Sequence, residues 1–210
     1  MRILAITGSF GSGKTTVTYL AAAALRSVGK GVKIIALDEV SRIVLNESLV
    51  LRHELADAFG GHILNDDSSL NRAALAQCAF ATDQTTAKLN ALVHPPMIDY
   101  ARELLLEAKN HGEIALIESP FPMMYFPELF EGFEVEPLIW TVVADKEMRL
   151  MRGIADGYSK DDALQRMDKQ PCTSAYQAEA DEAIENSDGL DDLRLEVGIC
   201  FEKYGFAGLS

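Results

Sequence analysis

Cysteine is scarce in this chain of 210 residues, which holds three: Cys78, Cys172 and Cys200. Because they are odd in number, far apart and free of any CxxC pair, they exclude an obvious zinc site and argue against a disulfide framework. The chain also lacks an apolar run long enough to span a bilayer, and its N terminus lacks a signal-peptide cleavage pattern. We therefore expect a cytoplasmic protein.

Positive charge is scarce as well, with 19 Lys and Arg against 32 Asp and Glu and a net charge of −13. Nucleic-acid binders need a surplus of cations on one face, so a nucleic-acid partner is not expected, and neither is a membrane partner. A polyanionic ligand must instead be held by a few well-placed cations. The composition thus favours a small-molecule partner, and it carries no indication of oligomeric state.

One motif near the N terminus supplies such a site. Residues 8–15 read GSFGSGKT and fill every fixed position of the phosphate-binding loop pattern GxxxxGK[ST]. Glycines allow successive amides to face phosphate oxygens, the lysine places a charge on the β and γ phosphates, and the Thr15 hydroxyl can bind Mg²⁺. We expect nucleotide contacts from Gly11, Ser12, Gly13, Lys14, Thr15 and Thr16, with Lys14 also catalytic.

The flanks of the loop fit the same interpretation. Residues 2–7 form a short apolar run typical of a buried parallel strand. After the loop, apolar residues recur at helical spacing until Gly29. Strand, loop and helix in this order are the context that the motif requires, so the chain is predicted to bind a nucleoside triphosphate.

Further apolar runs predict the rest of a sheet. Residues 33–38 end in Asp38, residues 114–118 end in Glu118, and residues 137–144 and, more weakly, 183–185 follow. Helical patterns separate them, which predicts an α/β fold of three layers around a parallel five-stranded sheet. Ligands of such sheets bind beyond the carboxyl ends of the strands, where the loop, Asp38 and Glu118 are all expected.

The domain prediction follows from the segments that break this alternation. Residues 47–95 hold helices and no strand, and we expect them to form a helical substrate domain. Residues 149–170 are expected to form a lid, which leaves residues 1–46, 96–148 and 171–210 as the nucleotide-binding core. Within the lid, Ser159 precedes a short helix as an N-cap, and Pro171 follows its end.

Two arginines open the lid segment. Arg149 and Arg152 are three residues apart and share one face of a helix. Each is either a solvated surface cation or a phosphate ligand, and in so acidic a chain the second reading is favoured, with Arg152 as the better candidate. A kinase needs such charges to neutralise the transferring group and exclude water.

Six segments between the N terminus and about residue 197 form a pattern beyond the phosphate loop. They are ITGSFGSGKTTV, ALDEVSR, ADAFGGHILNDDSSLNRAALAQCAF, LNALVHPPM, RLMRG with Gln170, and EADEAIENSDGLDDL. Together these segments resemble the dephospho-CoA kinase family. The resemblance implies a P-loop fold of the nucleoside-monophosphate-kinase type and ATP-dependent phosphorylation of the ribose 3′-hydroxyl of dephospho-CoA, the last step of coenzyme A synthesis.

The resemblance also suggests residue roles. Asp38 occupies the family's catalytic-base position, although a solvated acid at a strand end remains the alternative. Arg42 and Arg72 become candidate ligands of the CoA moiety, and otherwise are surface arginines. His94, expected at a turn before a helix because Pro95 follows it, is either a buried hydrogen-bonded histidine or a substrate contact.

For two further residues the sequence allows either of two roles. Glu118 either binds Mg²⁺ through water or caps the proline turn after its strand. Asn186 either borders the adenine or belongs to a turn.

The chain also departs from the family pattern. Ala36 replaces the first acid of Asp-x-Asp, the glutamate expected near Met124 is missing, and Ser68 replaces a turn glycine. These departures keep two alternatives open: a P-loop kinase of another small hydroxyl or nucleotide substrate, or a nucleotide-binding regulatory paralogue with weak ATPase activity.

Overall fold

A computed structural model describes residues 1–206 of the chain. Its centre is a sheet of five parallel strands in the order β2-β3-β1-β4-β5, which confirms the predicted fold class. The strands are β1 (Ile3–Thr7), β2 (Val32–Ala36), β3 (Ile114–Ser119), β4 (Leu138–Val143) and β5 (Glu182–Glu185).

Helices connect and cover these strands. Within residues 1–206, none of them combines the length and apolar character needed to cross a membrane. They are α1 (Lys14–Ser27), α2 (Leu37–Glu47), α3 (Leu49–Phe59), α4 (Arg72–Ala79), α5 (Asp83–Asn110), α6 (Lys146–Ala155), α7 (Lys160–Lys169), α8 (Thr173–Gln177) and α9 (Leu190–Lys203), with short 3-10 turns at Gly61–Ile63, Met123–Tyr125 and Pro127–Phe130.

The strand register aligns the carboxyl ends at one edge of the sheet. Ile6 of β1 pairs with Glu118 of β3, and Glu118 pairs in turn with Ala36 of β2. Every residue of β1 and of β3 is buried, as expected for central strands covered on both faces. The edge that bears the phosphate loop therefore rests on the most rigid part of the fold.

The largest core cluster lies between one face of the sheet and helices α1 and α9. The Trp140 ring packs edge-on against Phe201 at 5.3 Å between ring centroids, and Phe206 adds a second contact at 6.4 Å. Leu4 and Ile6 of β1 lie in this cluster with Val17 and Leu25, which come from the first and last turns of α1. This packing fixes the helix that begins at the phosphate loop.

The chain divides into two compact units. The sheet unit comprises Met1–Ala36 and the chain from Leu104 onward, and the helical unit is Leu37–Glu103. The helical unit is thus wider at both ends than the predicted 47–95. Its start also corrects the placement of Asp38, because β2 ends at Ala36 and Asp38 lies in the first turn of α2 rather than on a strand.

Helix α5 corrects the prediction for His94. The helix runs through Pro95 and Pro96, so His94 lies inside it and not at a turn before it. The φ of proline fits a helix, but a proline inside a helix removes a backbone donor and crowds the carbonyl four residues earlier. Helix α5 nevertheless continues past both prolines to Asn110. After the prolines, the buried side chains of this helix recur every three or four residues, at Met97, Ala101, Leu105 and Ala108.

The turn that contains Ser68 shows why the family pattern has a glycine at this position. Asn65 N–H donates to the Ser69 carbonyl and Ser68 N–H donates to the Asn65 carbonyl, both at 2.9 Å. This hairpin turn places its fourth residue in the left-handed region. Ser68 has φ 62°, and it is the one non-glycine residue with positive φ among residues 1–206. The substitution of glycine therefore leaves local backbone strain.

We expect Ser68→Gly to stabilise the fold and Ser68→Val to destabilise it. The left-handed conformation costs a non-glycine residue about 1–2 kcal/mol, and glycine avoids this cost. Glycine also makes the unfolded chain more flexible, which offsets part of the gain, so the free energy of unfolding should rise by about 0.5 kcal/mol. Valine, branched at Cβ, fits this region worst. Urea unfolding of the three proteins checks the order, and a Gly variant less stable than the Val variant would contradict it.

Candidate active site

The phosphate loop leads directly into α1. Gly13 is the N-cap of the helix at φ 92°, and Lys14 is its first residue. Since the first amides of a helix have no partner within the helix, they face the loop with unpaired hydrogen atoms and a partial positive charge. Ser12 N–H donates to Ser9 O at 3.1 Å and closes the loop from behind. This is the standard geometry for binding a phosphate.

The Lys14 ammonium is uncommitted. Within residues 1–206 it makes neither a hydrogen bond nor an ion pair, and its side chain is partly buried beside the loop. A cation without a counter-charge at the start of a helix is available for a phosphate oxygen.

Thr15 and Glu118 meet at the edge of the sheet, as the prediction of a shared site requires. The Thr15 hydroxyl donates to Glu118 Oε1 at 2.5 Å, and the carboxylate is 9% exposed. Hydroxyl and carboxylate oxygens are the donors that Mg²⁺ prefers, so this pair fits the ion. In the described part of the chain no three His, Cys, Asp or Glu side chains cluster as metal ligands, so phosphate oxygens or water must complete the shell.

Arg152 binds the loop itself. Its Nη1 donates to the carbonyls of Gly11 and Ser12 at 3.3 and 3.2 Å, and its Nη2 donates to Asn186 O and Oδ1 at 2.9 and 3.3 Å. A guanidinium has five N–H groups, and these bonds occupy the four on Nη1 and Nη2. Arg152 is thus neither a surface cation nor free to meet a phosphate without giving up these bonds.

Asn186 completes this arrangement. It is 6% exposed, its Nδ2 donates to Ser12 O at 2.7 Å, and its own N–H donates to Val143 O at 2.8 Å. A Cβ added at Gly13 would lie 2.1 Å from Nδ2, so the glycine is needed for close approach as well as for its φ. The buried amide couples the loop to β4 and β5, a role that neither sequence-based alternative included.

Arg149 lies on the other side of the loop. Its Nη1 donates to Ser9 Oγ at 2.6 Å, and its Nε is buried with no acceptor among the described residues. Burial lowers the pKa of Arg149 from its usual value, because desolvation penalises the charged form. A partly buried guanidinium without a carboxylate at the edge of the loop is an incomplete anion site.

Comparison with known proteins agrees with this geometry. A family model described as dephospho-CoA kinase (CoaE) matches residues 2–192. The dephospho-CoA kinase of Corynebacterium jeikeium is 33% identical over 94% of this chain and 96% of its own, and that of Carboxydothermus hydrogenoformans is 28% identical over 96% and 94%.

This chain belongs to the dephospho-CoA kinase family. It is therefore a P-loop kinase, which transfers a phosphoryl group from ATP. Among solved structures, TT1252 from Thermus thermophilus has a TM-score of 0.67 at 28% identity over 100% of this chain and 98% of that one. Dephospho-CoA kinase from Campylobacter jejuni has a TM-score of 0.57 at 21% identity over 96% and 97%, and agrees in fold.

The predicted acceptor-side residues of this family member lie in the helical unit. Asp38 and Arg42 are exposed on α2, and Arg72 is exposed at the first position of α4. The structure brings the two arginines together, because Arg72 Nη2 donates to Asn46 Oδ1 at 3.0 Å and to Arg42 O at 3.4 Å. His94 is half-buried, and burial lowers its pKa, which favours the neutral imidazole.

Sequence reasoning missed the residues that hold the divergent segment after β3. Glu179 accepts from the amides of Met123 and Met124 at 2.5 and 2.7 Å, and Tyr176 OH donates to Pro120 O at 2.7 Å. Burial raises the pKa of Tyr176, so its hydroxyl remains a donor. Met123 is buried and Met124 is exposed, so only the first of these two methionines packs into the fold.

Proposed function

We propose that this chain transfers the γ-phosphoryl group of ATP to the ribose 3′-hydroxyl of dephospho-CoA, giving coenzyme A and ADP. The observation that carries the proposal is the Thr15–Glu118 pair beside an uncommitted Lys14, in a chain matched to this family over residues 2–192. A cytoplasmic location and the absence of nucleic-acid and membrane partners remain predictions from composition.

The phosphate loop supplies the proposed contacts to ATP, the phosphoryl donor. Amides of residues 11–16 surround the β phosphate, and Lys14 neutralises charge on the β and γ phosphates as the leaving oxygen becomes anionic. Arg149 and Asn186 border the nucleotide. Arg152 and Asn186 hold the loop carbonyls turned away, so that the amides point inward.

The metal side rests on two residues. Thr15 Oγ1 and Glu118 would hold Mg²⁺, the threonine directly and the glutamate either directly or through water. When bound, the ion would supply positive charge to neutralise the charge that develops on the phosphates during transfer.

The acceptor side requires a group that orients the hydroxyl and takes its proton. Asp38, two residues beyond the carboxyl end of β2, is the exposed carboxylate that the family pattern retains after the loss of its partner at Ala36. It acts as the base late in a loose transition state. Arg42, Arg72 and His94 are proposed to contact the CoA moiety.

Thr15→Val tests the metal assignment. Valine keeps the shape of the side chain and removes the oxygen, so turnover should fall at limiting Mg²⁺. The melting temperature without nucleotide should change much less than turnover, since Thr15 is exposed and loses one hydrogen bond, to Glu118. Thr16→Val removes the hydroxyl at the next exposed position but keeps the backbone amide that is placed at the phosphate, so it is the matched control. Equal Mg²⁺ dependence of the Thr15 variant and the unmodified enzyme would remove Thr15 from the metal site.

An acceptor panel tests the function as a whole. ATP consumption is measured with dephospho-CoA, with nucleosides, with nucleotides and with no acceptor. We expect stimulation by dephospho-CoA. Consumption only without an acceptor, or only with a nucleoside or nucleotide, would contradict the proposal.

A further inference from the structure

Two of the arginines around the phosphate loop are already bound to the protein. Arg152 places the four hydrogens of its Nη atoms on carbonyl and amide oxygens of the loop and Asn186. Arg149 donates to Ser9 Oγ and is partly desolvated. The structure of the loop therefore depends on these two side chains. Arg152 uses all of its terminal donors to hold the loop, whereas Arg149 holds it through Nη1 alone.

A third arginine lies beside the same loop and is free of such bonds. Arg166 on α7 has its guanidinium carbon 4.6 Å from the centroid of the Tyr158 ring and 6.0 Å from that of Phe10. Among residues 1–206 no carboxylate or carbonyl accepts from it. Its helical neighbour Asp162 accepts from the Ser159 hydroxyl instead. Arg166 is exposed, so its N–H groups can meet a ligand.

The aromatic residue in this contact is part of the phosphate loop. Phe10 is the third residue of GSFGSGKT, and its amide donates to Gln170 Oε1 just beyond α7. Its ring meets Tyr158 edge-on at 5.2 Å and 83°. A Cβ at Gly153 would lie 2.5 Å from the ring, so α6 can approach only because that residue is glycine. Phe10 thus anchors the α6–α7 pair to the loop.

Stacking on aromatic rings suits an arginine that must reach an anion. A guanidinium held by its face keeps its N–H edges free and its orientation fixed, which reduces the entropy lost when it binds. The chain has a net charge of −13, so few other cations can serve the triphosphate. The loop, the two rings and Arg166 form one packed group.

We propose that Arg166 binds the γ-phosphate of ATP and stabilises its charge during transfer, whereas Arg152 is a positioning residue that holds the loop. The catalytic part of this assignment rests on the proposed kinase function. The binding part concerns ATP alone and needs no acceptor.

Comparing ATP with ADP separates the two arginines. Arg166→Gln should weaken ATP binding by about 10–100-fold, the value of a hydrogen bond to a charged group, and leave ADP binding nearly unchanged. Arg152→Gln should weaken both nucleotides by the same factor, because it loosens the loop that binds their shared β phosphate. Lys160→Gln, which removes an exposed charge from the first position of α7, is the control and should change neither affinity.

Two further measurements complete the test. Arg166→Gln should leave the melting temperature without nucleotide unchanged and lower kcat with dephospho-CoA by about 10²–10³-fold, as expected on loss of one transition-state donor. Arg152→Gln should lower that melting temperature, because it removes the donor to Gly11 O and the donors to both oxygens of the buried Asn186. Arg166→Lys, which keeps the charge without the planar fork, should recover part of the ATP affinity.

Equal loss of ATP and ADP binding in Arg166→Gln, or no loss of either, would overturn the proposal. So would an ATP-selective loss in Arg152→Gln. If the unmodified protein fails to phosphorylate dephospho-CoA, the proposed function fails, but the ATP and ADP affinities still decide whether Arg166 binds the γ-phosphate.

Discussion

Replacing Lys14 with alanine should abolish measurable turnover and weaken ATP binding. Lys14 is the one loop cation with no partner in the described structure, and other cations near the loop are bonded elsewhere or stacked on rings. Loss of a preorganised group that stabilises transition-state charge costs about 10²–10³-fold in kcat, and the loss of ground-state binding adds to it.

Lys30→Ala is the matched control for this variant. Lys30 lies beyond the opposite end of α1, which is 14 residues long, so it is about 20 Å from the loop at 1.5 Å per residue. Steady-state kinetics and ATP titration of both variants check the prediction. Near-normal affinity and rate in Lys14→Ala would mean that phosphoryl transfer does not take place at this loop.

Replacing Asp38 with asparagine should lower kcat with dephospho-CoA by about 10²–10⁴-fold, the usual contribution of a positioned acid or base. Asparagine keeps the size of the side chain and can orient a hydroxyl, but it cannot accept the proton. ATP affinity should change little, because the loop holds the donor. Single-turnover kinetics under saturating ATP separates the chemical step from nucleotide binding.

Glu39→Gln is the control for Asp38, because Glu39 is the next exposed carboxylate in the first turn of the same helix. It should keep the rate of the unmodified enzyme. If Asp38→Asn retains more than about a third of the activity, far above the range for a general base, Asp38 is not the base. Glu118, whose carboxylate accepts from Thr15, is then the first residue to test.

The sheet was predictable because its signals are local. Buried parallel strands read as short apolar runs, and all five appear within a residue or two of the expected positions. The placements of Asp38 and His94 were wrong for the same reason: the sequence signals that mark where a strand or helix begins and ends are only statistical. The chain enters α2 directly after Ala36, so no loop marks the end of β2, and α5 continues through Pro95 because the φ of proline fits a helix.

The candidate site likewise has a part that local sequence signals predicted and a part that they did not. The phosphate loop is a contiguous motif, and the Thr15–Glu118 pair follows from strand order, since both lie at the carboxyl edge of a parallel sheet. The contacts of Arg152 with Gly11 and of Asn186 with Ser12 join residues 141 and 174 positions apart.

No periodicity or spacing in the sequence predicts contacts between residues so far apart in the chain. The resemblance to the family marked Gln170 without a role of its own, and Asn186 was interpreted as an adenine neighbour or a turn residue. Nothing in the sequence singled out Arg166. A phenylalanine in the free positions of the loop was the available signal, because an apolar ring there requires a partner to cover it.

The most direct test of the account is identification of the product formed from dephospho-CoA, ATP and Mg²⁺. Mass spectrometry and phosphorus NMR measure how many phosphoryl groups the acceptor gains and on which oxygen, while a coupled assay counts ADP. The account predicts one phosphate on the ribose 3′-oxygen for each ADP released, and no product with Lys14→Ala. Release of ADP without a phosphorylated acceptor, or a phosphate at another position, would contradict it.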